Sequence, residues 1–149
     1  MDAIAASKLS AQDRFLSQET QARYNRGIDT GDRQEYLSIF AKDAIKENLG
    51  VWGTLRGHEE IGRAFDEYQS APKFAPFRGG QHRVTSLIVE DVQPDRVETW
   101  ANYVHVVLGA DGPRIKTMGT YRDIFVKEGG RWLISRRIIQ SSVGSELRR

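Results

Sequence analysis

Residues 81–141 read QHRVTSLIVEDVQPDRVETWANYVHVVLGADGPRIKTMGTYRDIFVKEGGRWLISRRIIQS. β-Branched and aromatic residues dominate four runs within it, 81–90, 96–108, 114–126 and 131–141. Pro94-Asp95, Asp111-Gly112-Pro113 and Gly129-Gly130 separate the runs. Each separator is turn chemistry: proline presets φ, glycine admits positive φ, and aspartate bonds its own backbone. Four consecutive hairpin-linked strands make an antiparallel meander.

Upstream the hydrophobic period changes from two to between three and four. Ser10 precedes a segment in which Leu16, Thr20, Tyr24 and Ile28 recur every four residues, one stripe of a helix that stops near Thr30-Gly31. Asp32 reads as the next N-cap, with Glu35 completing a capping box before a short helix that buries Tyr36, Leu37, Ile39 and Phe40. A third helix begins around Gly57, where Glu59 and Glu60 suit the positive end of its dipole, and carries Ile61, Ala64, Phe65 and Tyr68 on one face. A short strand is expected at 44–48, and 71–80, with two prolines and two glycines, reads as a loop. Helices first and a curled antiparallel sheet second is an α+β plan.

The chain has 149 residues, enough for one domain over 1–149 with a core from roughly 10 to 142. It has no cysteine, which excludes disulfides, zinc-thiolate sites and thiol nucleophiles. Its 22 Lys+Arg face 20 Asp+Glu and are scattered, apart from Arg136-Arg137 and Leu147-Arg148-Arg149. A nucleic-acid footprint needs a clustered basic face, so no nucleic-acid partner is expected. No apolar run approaches a membrane span, and Met1-Asp2-Ala3-Ile4 does not open a signal peptide. The expectation is a soluble cytoplasmic protein.

Among chemistry-bearing residues, His82 begins a strand with Val84, Ser86 and Ile88 on its face. Such a histidine alone is more often a satisfied core residue than a base. A four-residue turn Val92-Gln93-Pro94-Asp95 would pair Asp91 with Arg96 and set His82 opposite His105; a register one residue off would put Val104 there. Asp29 lies at a helix C-terminus, where a carboxylate opposes the dipole and calls for a partner, although aspartates also cap backbone groups there. Tyr24 lies about 140° around the helix from Asp29 and is either a pocket residue or a core tyrosine. His58, beside two glutamates, reads as a solvated helix start. Strict pairing of Phe125 with Trp132 turns Arg136 inward, whereas a bulge turns Arg137 inward. Tyr121 and Asp123 share a face, and an odd-length turn at Asp111-Gly112-Pro113 would join it to that of His105. The opposite face of the second run, Trp100, Val104, Val106 and Leu108, is apolar enough to suggest a homodimer or homotrimer interface. His82, His105 and Asp29 could also form a metal-binding facial triad.

Five segments stand out: Asp29-Thr30-Gly31-Asp32, Phe40-Ala41-Lys42-Asp43-Ala44, Arg56-Gly57-His58-Glu59-Glu60-Ile61, Gly119-Thr120-Tyr121-Arg122-Asp123-Ile124-Phe125 and Gly130-Arg131-Trp132-Leu133-Ile134. In this order they resemble the SnoaL-like branch of the nuclear-transport-factor-2-like superfamily over roughly residues 10–140. The resemblance implies a cone-shaped α+β barrel: a curved sheet wrapped around helices with a deep apolar pocket. Asp29 and His82 are similar to the aspartate–histidine pair of scytalone dehydratase-like lyases, Tyr24 and His105 to polar pocket residues of related dehydratases, and Arg137 to a family arginine. Asn48 stands where scytalone dehydratase has a water-holding tyrosine. These lyases use no cofactor and no metal. The resemblance therefore implies acid–base elimination from a small hydroxylated aromatic or polycyclic substrate. His82 would be the base, oriented by Asp29 and helped by Tyr24 and His105; Arg137 and Asn48 would position the substrate, with Tyr121 and Asp123 lining the cavity. An isomerase, cyclase or epoxide hydrolase, or a non-catalytic binding domain, fits the same cavity.

Overall fold

The computed structural model describes residues 9–141. Met1–Ile4 and the Leu147–Arg149 tail lie outside them. The first helix, α1 (Ala11–Thr30), starts at Ser10, whose Oγ accepts the Asp13 N–H, and ends at Gly31 with φ 74°, left-handed as a terminal glycine permits. Asp32 caps α2 (Arg33–Ser38) by accepting the Glu35 N–H at 2.9 Å. The expected capping box is half made, because the Glu35 carboxylate turns to the guanidinium of Arg26 instead. The helix is also shorter than expected: Ile39 is its C-cap and Phe40 opens β1 (Phe40–Leu49), which extends the expected 44–48 strand in both directions.

Strand β2 (Gly53–Arg56), which the sequence reading did not anticipate, folds back on β1 and leads into α3 (Gly57–Ser70). Inside the expected loop lies a 3₁₀ turn, Pro72–Phe77. Then come β3 (Gln81–Gln93), β4 (Arg96–Gly109), β5 (Gly112–Glu128) and β6 (Arg131–Ser141), joined as an antiparallel meander. The sheet order is β2-β1-β6-β5-β4-β3, with β1 parallel to β6 and every other pair antiparallel. The expected purely antiparallel sheet is thus mixed at one seam. Curved and unclosed, it wraps the helices in an α+β cone.

The inner face follows from strand alternation, but bulges set its parity. The β3–β4 turn is two residues, Pro94-Asp95, not four, so Gln93 pairs with Arg96. Two extra residues, Thr85 and Glu90, then shift the register back, and His82 still meets His105. The β4–β5 turn is likewise two residues, Ala110-Asp111, not the odd-length turn expected. Lys116 is the extra residue there, and it brings Tyr121 and Asp123 onto the face of His105. On β6, Trp132 pairs with Lys127 rather than Phe125. The extra residue Ser135 makes Arg137, not Arg136, the partner of Asp123. Arg136 points outward to Glu47.

α1 is fixed to the sheet by polar bonds as well as apolar contact. Thr20 Oγ1 donates to the Trp132 carbonyl at 2.8 Å, and Trp132 Nε1 donates to Asp13 at 2.9 Å. At the C-terminal end of α1, Gln69 of α3 donates to the Ile28 carbonyl at 2.9 Å, satisfying an acceptor the helix leaves open. His58 is not a solvated helix start: its Nε2 bonds the Phe40 carbonyl at 2.9 Å and ties α3 to β1. Outside, Trp100 pairs with Ile88, Val104 with Met118 and Val106 with Ile115, and Leu108 is 77% exposed.

Candidate functional site

The inner face of the sheet and the helices line a cavity of about 790 Å³. Its wall combines aromatic rings with histidine, tyrosine hydroxyl, amide and lysine groups. Asp29 and His82 stand at one side. The Asp29 carboxylate accepts two bonds from one residue, the His82 backbone N–H at 2.8 Å and the ring Nδ1–H at 2.6 Å. An ionised carboxylate only accepts, so Nδ1 carries a proton, and in the neutral imidazole it is Nε2 that holds the lone pair. The double contact fixes both the backbone and the ring of His82. A second depression, about 710 Å³, lies between α1 and β3 and also includes His82, so the pair stands in the wall between two spaces.

The His105 ring lies flat against that of His82, with centroids 4.0 Å apart and 10° between planes. Phe77 continues the stack at 6.4 Å. Burial, the neighbouring His82 and Lys116 push the His105 pKa down to about 4 against the opposing pull of Asp29, so His105 is neutral at neutral pH. Gly80 makes this approach possible: a Cβ there would lie 2.3 Å from the Val106 carbonyl oxygen and 2.9 Å from His105 Nε2. Ligand atoms of Asp29, His82 and His105 all lie within 4.8 Å of one another. The two imidazole planes, however, are stacked and nearly parallel, and Nδ1 of His82 is occupied by Asp29. An ion in the plane of one ring is out of plane for the other, so this arrangement does not fit a facial triad.

Tyr24 is 3% exposed, and its ring contacts those of Tyr36 and Tyr121 at 5.2 and 6.0 Å. Gly27, one turn on, lets Tyr36 approach: a Cβ there would meet the Tyr36 backbone at 2.9 Å. Burial opposes ionisation of the Tyr24 phenol, but Lys46, Arg137 and a hydrogen bond with Tyr36 outweigh it, and its pKa is lowered. Burial and the neighbouring Tyr24 push Tyr36 and Tyr121 the other way. Tyr24 is therefore the member of this cluster whose proton is loosened.

Two residues expected at the substrate lie behind the wall instead. Arg137 is fully buried, its guanidinium 4.1 Å from the Tyr24 ring centre and 4.2 Å from that of Tyr121. It donates to Asp123 from Nε at 2.8 Å and from Nη2 at 2.6 Å, and to Gln21. Among the described residues Nη1 has no hydrogen-bond partner. Neither Arg137 nor Asp123 lines the cavity, because the two tyrosine rings cover them; Asn48 and Tyr121 do line it.

The sequence reading missed Lys46, Lys116 and the aromatic wall of Trp52, Phe74, Phe77 and Tyr103. Lys46 was within reach, since strand alternation places it on the same face as Ala44 and Asn48. Lys116 enters only through its bulge, which no sequence pattern announces.

A family model described as a SnoaL-like domain matches residues 11–138. Among solved structures, a protein of unknown function from Mycobacterium tuberculosis is 26% identical, with TM-score 0.78, over 95% of this chain and 78% of its own. A cystatin-like-fold protein of unknown function from Nostoc punctiforme is 22% identical, with TM-score 0.77, over 90% and 94%. A Novosphingobium aromaticivorans protein, provisionally assigned as a scytalone dehydratase, is 16% identical, with TM-score 0.75, over 91% and 88%. No functionally curated protein matches. The cone, its cavity and the match over residues 11–138 place the chain in the SnoaL-like family.

Proposed function

We propose that the protein is a cofactor-independent lyase, eliminating water or another small fragment from a small hydroxylated aromatic or polycyclic compound. The observation that carries this reading is the doubly bonded Asp29–His82 pair beside the cavity, with Nε2 of His82 left to accept a proton. His82 Nε2 takes a proton from a carbon activated by a carbonyl or ring, and the released pair forms the new double bond. The departing hydroxyl leaves as water with a proton from Tyr24, whose loosened phenol suits an acid. Asp29 stabilises the imidazolium that forms and fixes its ring. His105, neutral, supports the His82 ring by stacking. Asn48 and Tyr121 orient the substrate, and Arg137 with Asp123 holds Tyr24 and Tyr121 from behind. An epoxide hydrolase would need a second carboxylate and the arginine at the cavity surface, and Asp123 and Arg137 are covered. Neither this reading nor the acid–base pair requires nucleic acid or a membrane; no helix among the described residues is long and apolar enough to cross one. The cytoplasm is the setting we propose, as a homodimer or homotrimer through the outer face of β3, β4 and β5, which sedimentation would detect.

The test is turnover of a panel of hydroxylated aromatic compounds by wild type and His82→Ala. The variant should lose about 10²–10⁴-fold in kcat while binding persists. Full turnover by His82→Ala would assign the base elsewhere, and binding without turnover by the wild type would favour a carrier of small ligands.

A further inference from the structure

Resting on the lyase reading for the size and character of its substrate, we propose that the substrate is an anion whose carboxylate or phenolate oxygen is held by Lys46. Lys46 is 6% exposed and its side chain lines the cavity. Its Nζ donates to the Tyr36 hydroxyl at 2.7 Å and stands 5.7 and 5.4 Å from the ring centres of Tyr24 and Tyr36. An ammonium has three donors, and here two tyrosines, Tyr36 and Tyr24, are what meet it, through their hydroxyls and ring faces, with no carboxylate among them. Among the described residues no carboxylate forms an ion pair with it. A buried cation is ordinarily paired, because leaving water is costly without an opposite charge.

The rest of the wall has the same bias. Lys116 also lines the cavity, 4.7 Å from the Phe77 ring centre, and no aspartate or glutamate among the described residues does. The acidic group nearest the chemistry, Asp29, is already engaged by His82. Two ammonium groups and no carboxylate around an aromatic-walled space of about 790 Å³ suit an aromatic body bearing one oxyanion. Bound at Lys46, that oxyanion would take the place of a counter-ion the fold does not supply. It would also sit beside Tyr36, which bonds Tyr24, the proposed acid.

Binding separates this from the lyase reading, since it needs no turnover. Calorimetric titration of the whole chain with 2-naphthoate and its neutral isostere 2-naphthamide, at constant ionic strength, measures the charge term alone. Wild type should bind the carboxylate about 10–100-fold more tightly than the amide, the range of a charge-assisted bond out of water. Lys46→Met, which keeps the length and removes the charge, should bind both equally, with amide affinity unchanged. Lys46→Arg should restore most of the preference, and Lys116→Met should keep it. The carboxylate-over-amide preference is read without turnover, so loss of the catalytic assignment would leave this result standing. Thermal shifts along acetate, benzoate and 2-naphthoate give a second measure of anion binding for each variant. Equal affinity of wild type for the two naphthalenes, no carboxylate-dependent shift, or a preference that survives Lys46→Met would each overturn the assignment. A preference abolished only by Lys116→Met would overturn it too.

Discussion

Asp29–His82 and Asp123–Arg137 are chemically alike: in each, one carboxylate takes two short bonds from one basic residue. They differ in what is left over. The Asp123–Arg137 side chains are 1% and 0% exposed, closed on both sides by tyrosine rings and Gln21. The Asp29–His82 side chains are 15% and 14% exposed, and among the described residues nothing bonds the second ring nitrogen of His82. Burial alone would make Arg137 lose its proton more easily, but Asp123 reverses this and raises its pKa, so the pair stays charged and inert. A sealed pair positions its neighbours; an open one can exchange a proton. The contrast separates scaffold from chemistry within one cavity wall.

The largest effect should come from breaking the sealed pair. Asp123→Ala leaves a buried guanidinium without its carboxylate and should cost about 3–5 kcal/mol of stability, read as a lower urea midpoint. Replacing both residues by leucine should recover much of that loss, because the remaining charge goes too. A single-variant cost near zero would mean that the tyrosine sandwich alone satisfies Arg137, and the contrast between the two pairs would fail.

Asp29→Asn should behave in the opposite way. The amide oxygen can still accept the His82 N–H, so the fold should persist with a smaller shift in the urea midpoint than Asp123→Ala gives. The charge that supports the imidazolium is gone, and turnover should fall by up to about 10²–10⁴-fold. The measurement is kcat on a substrate that the wild type turns over, beside the unfolding curve. A variant that unfolds readily yet turns over normally would reverse the roles assigned to the two pairs.

How much of this could be read in advance varies from residue to residue. The helix that delivers Asp29, its glycine stop and the four-strand meander were legible, because periodicity and turn residues act locally. The facing of His82 and His105 was also legible, although by a shorter turn and two bulges that cancel. Bulges are where the reading runs out, since Thr85, Glu90, Lys116 and Ser135 carry no local mark of being extra. Each changes which side chains face inward downstream of it, which is why Arg136 and Arg137 stood as alternatives. That Arg137 and Asp123 would be covered was not legible at all. It depends on Tyr24 and Tyr121 meeting across the barrel from segments 97 residues apart in sequence, a matter of packing alone.

The smallest effect expected is on the pH dependence of folding, and it belongs to the open side of the wall. His105 has a pKa of about 4 in the folded protein against 6.5 for an unperturbed histidine. As pH falls below about 6.5 the unfolded chain takes up a proton that the folded one refuses, so stability declines between about pH 6.5 and 4 and is level above. A shift of this size corresponds to about 3 kcal/mol at the acid end. His105→Phe keeps a flat ring against His82 and removes the titration, so its stability should be nearly constant across that window. Asp13 does not confuse the comparison. Its pKa, lowered to about 2 chiefly by Lys127 with Trp132 and Ser10, makes its contribution fade only below about pH 4. Urea unfolding of wild type and His105→Phe at intervals from pH 7.5 to 4 gives the difference directly. A decline that persists in His105→Phe would place the titrating group outside this ring, and below about pH 4.5 the Arg26-bonded Glu35, whose pKa is lowered, is the first candidate. The stacked neighbour would then be a spectator in acid, holding the His82 ring without setting the protein's response to pH.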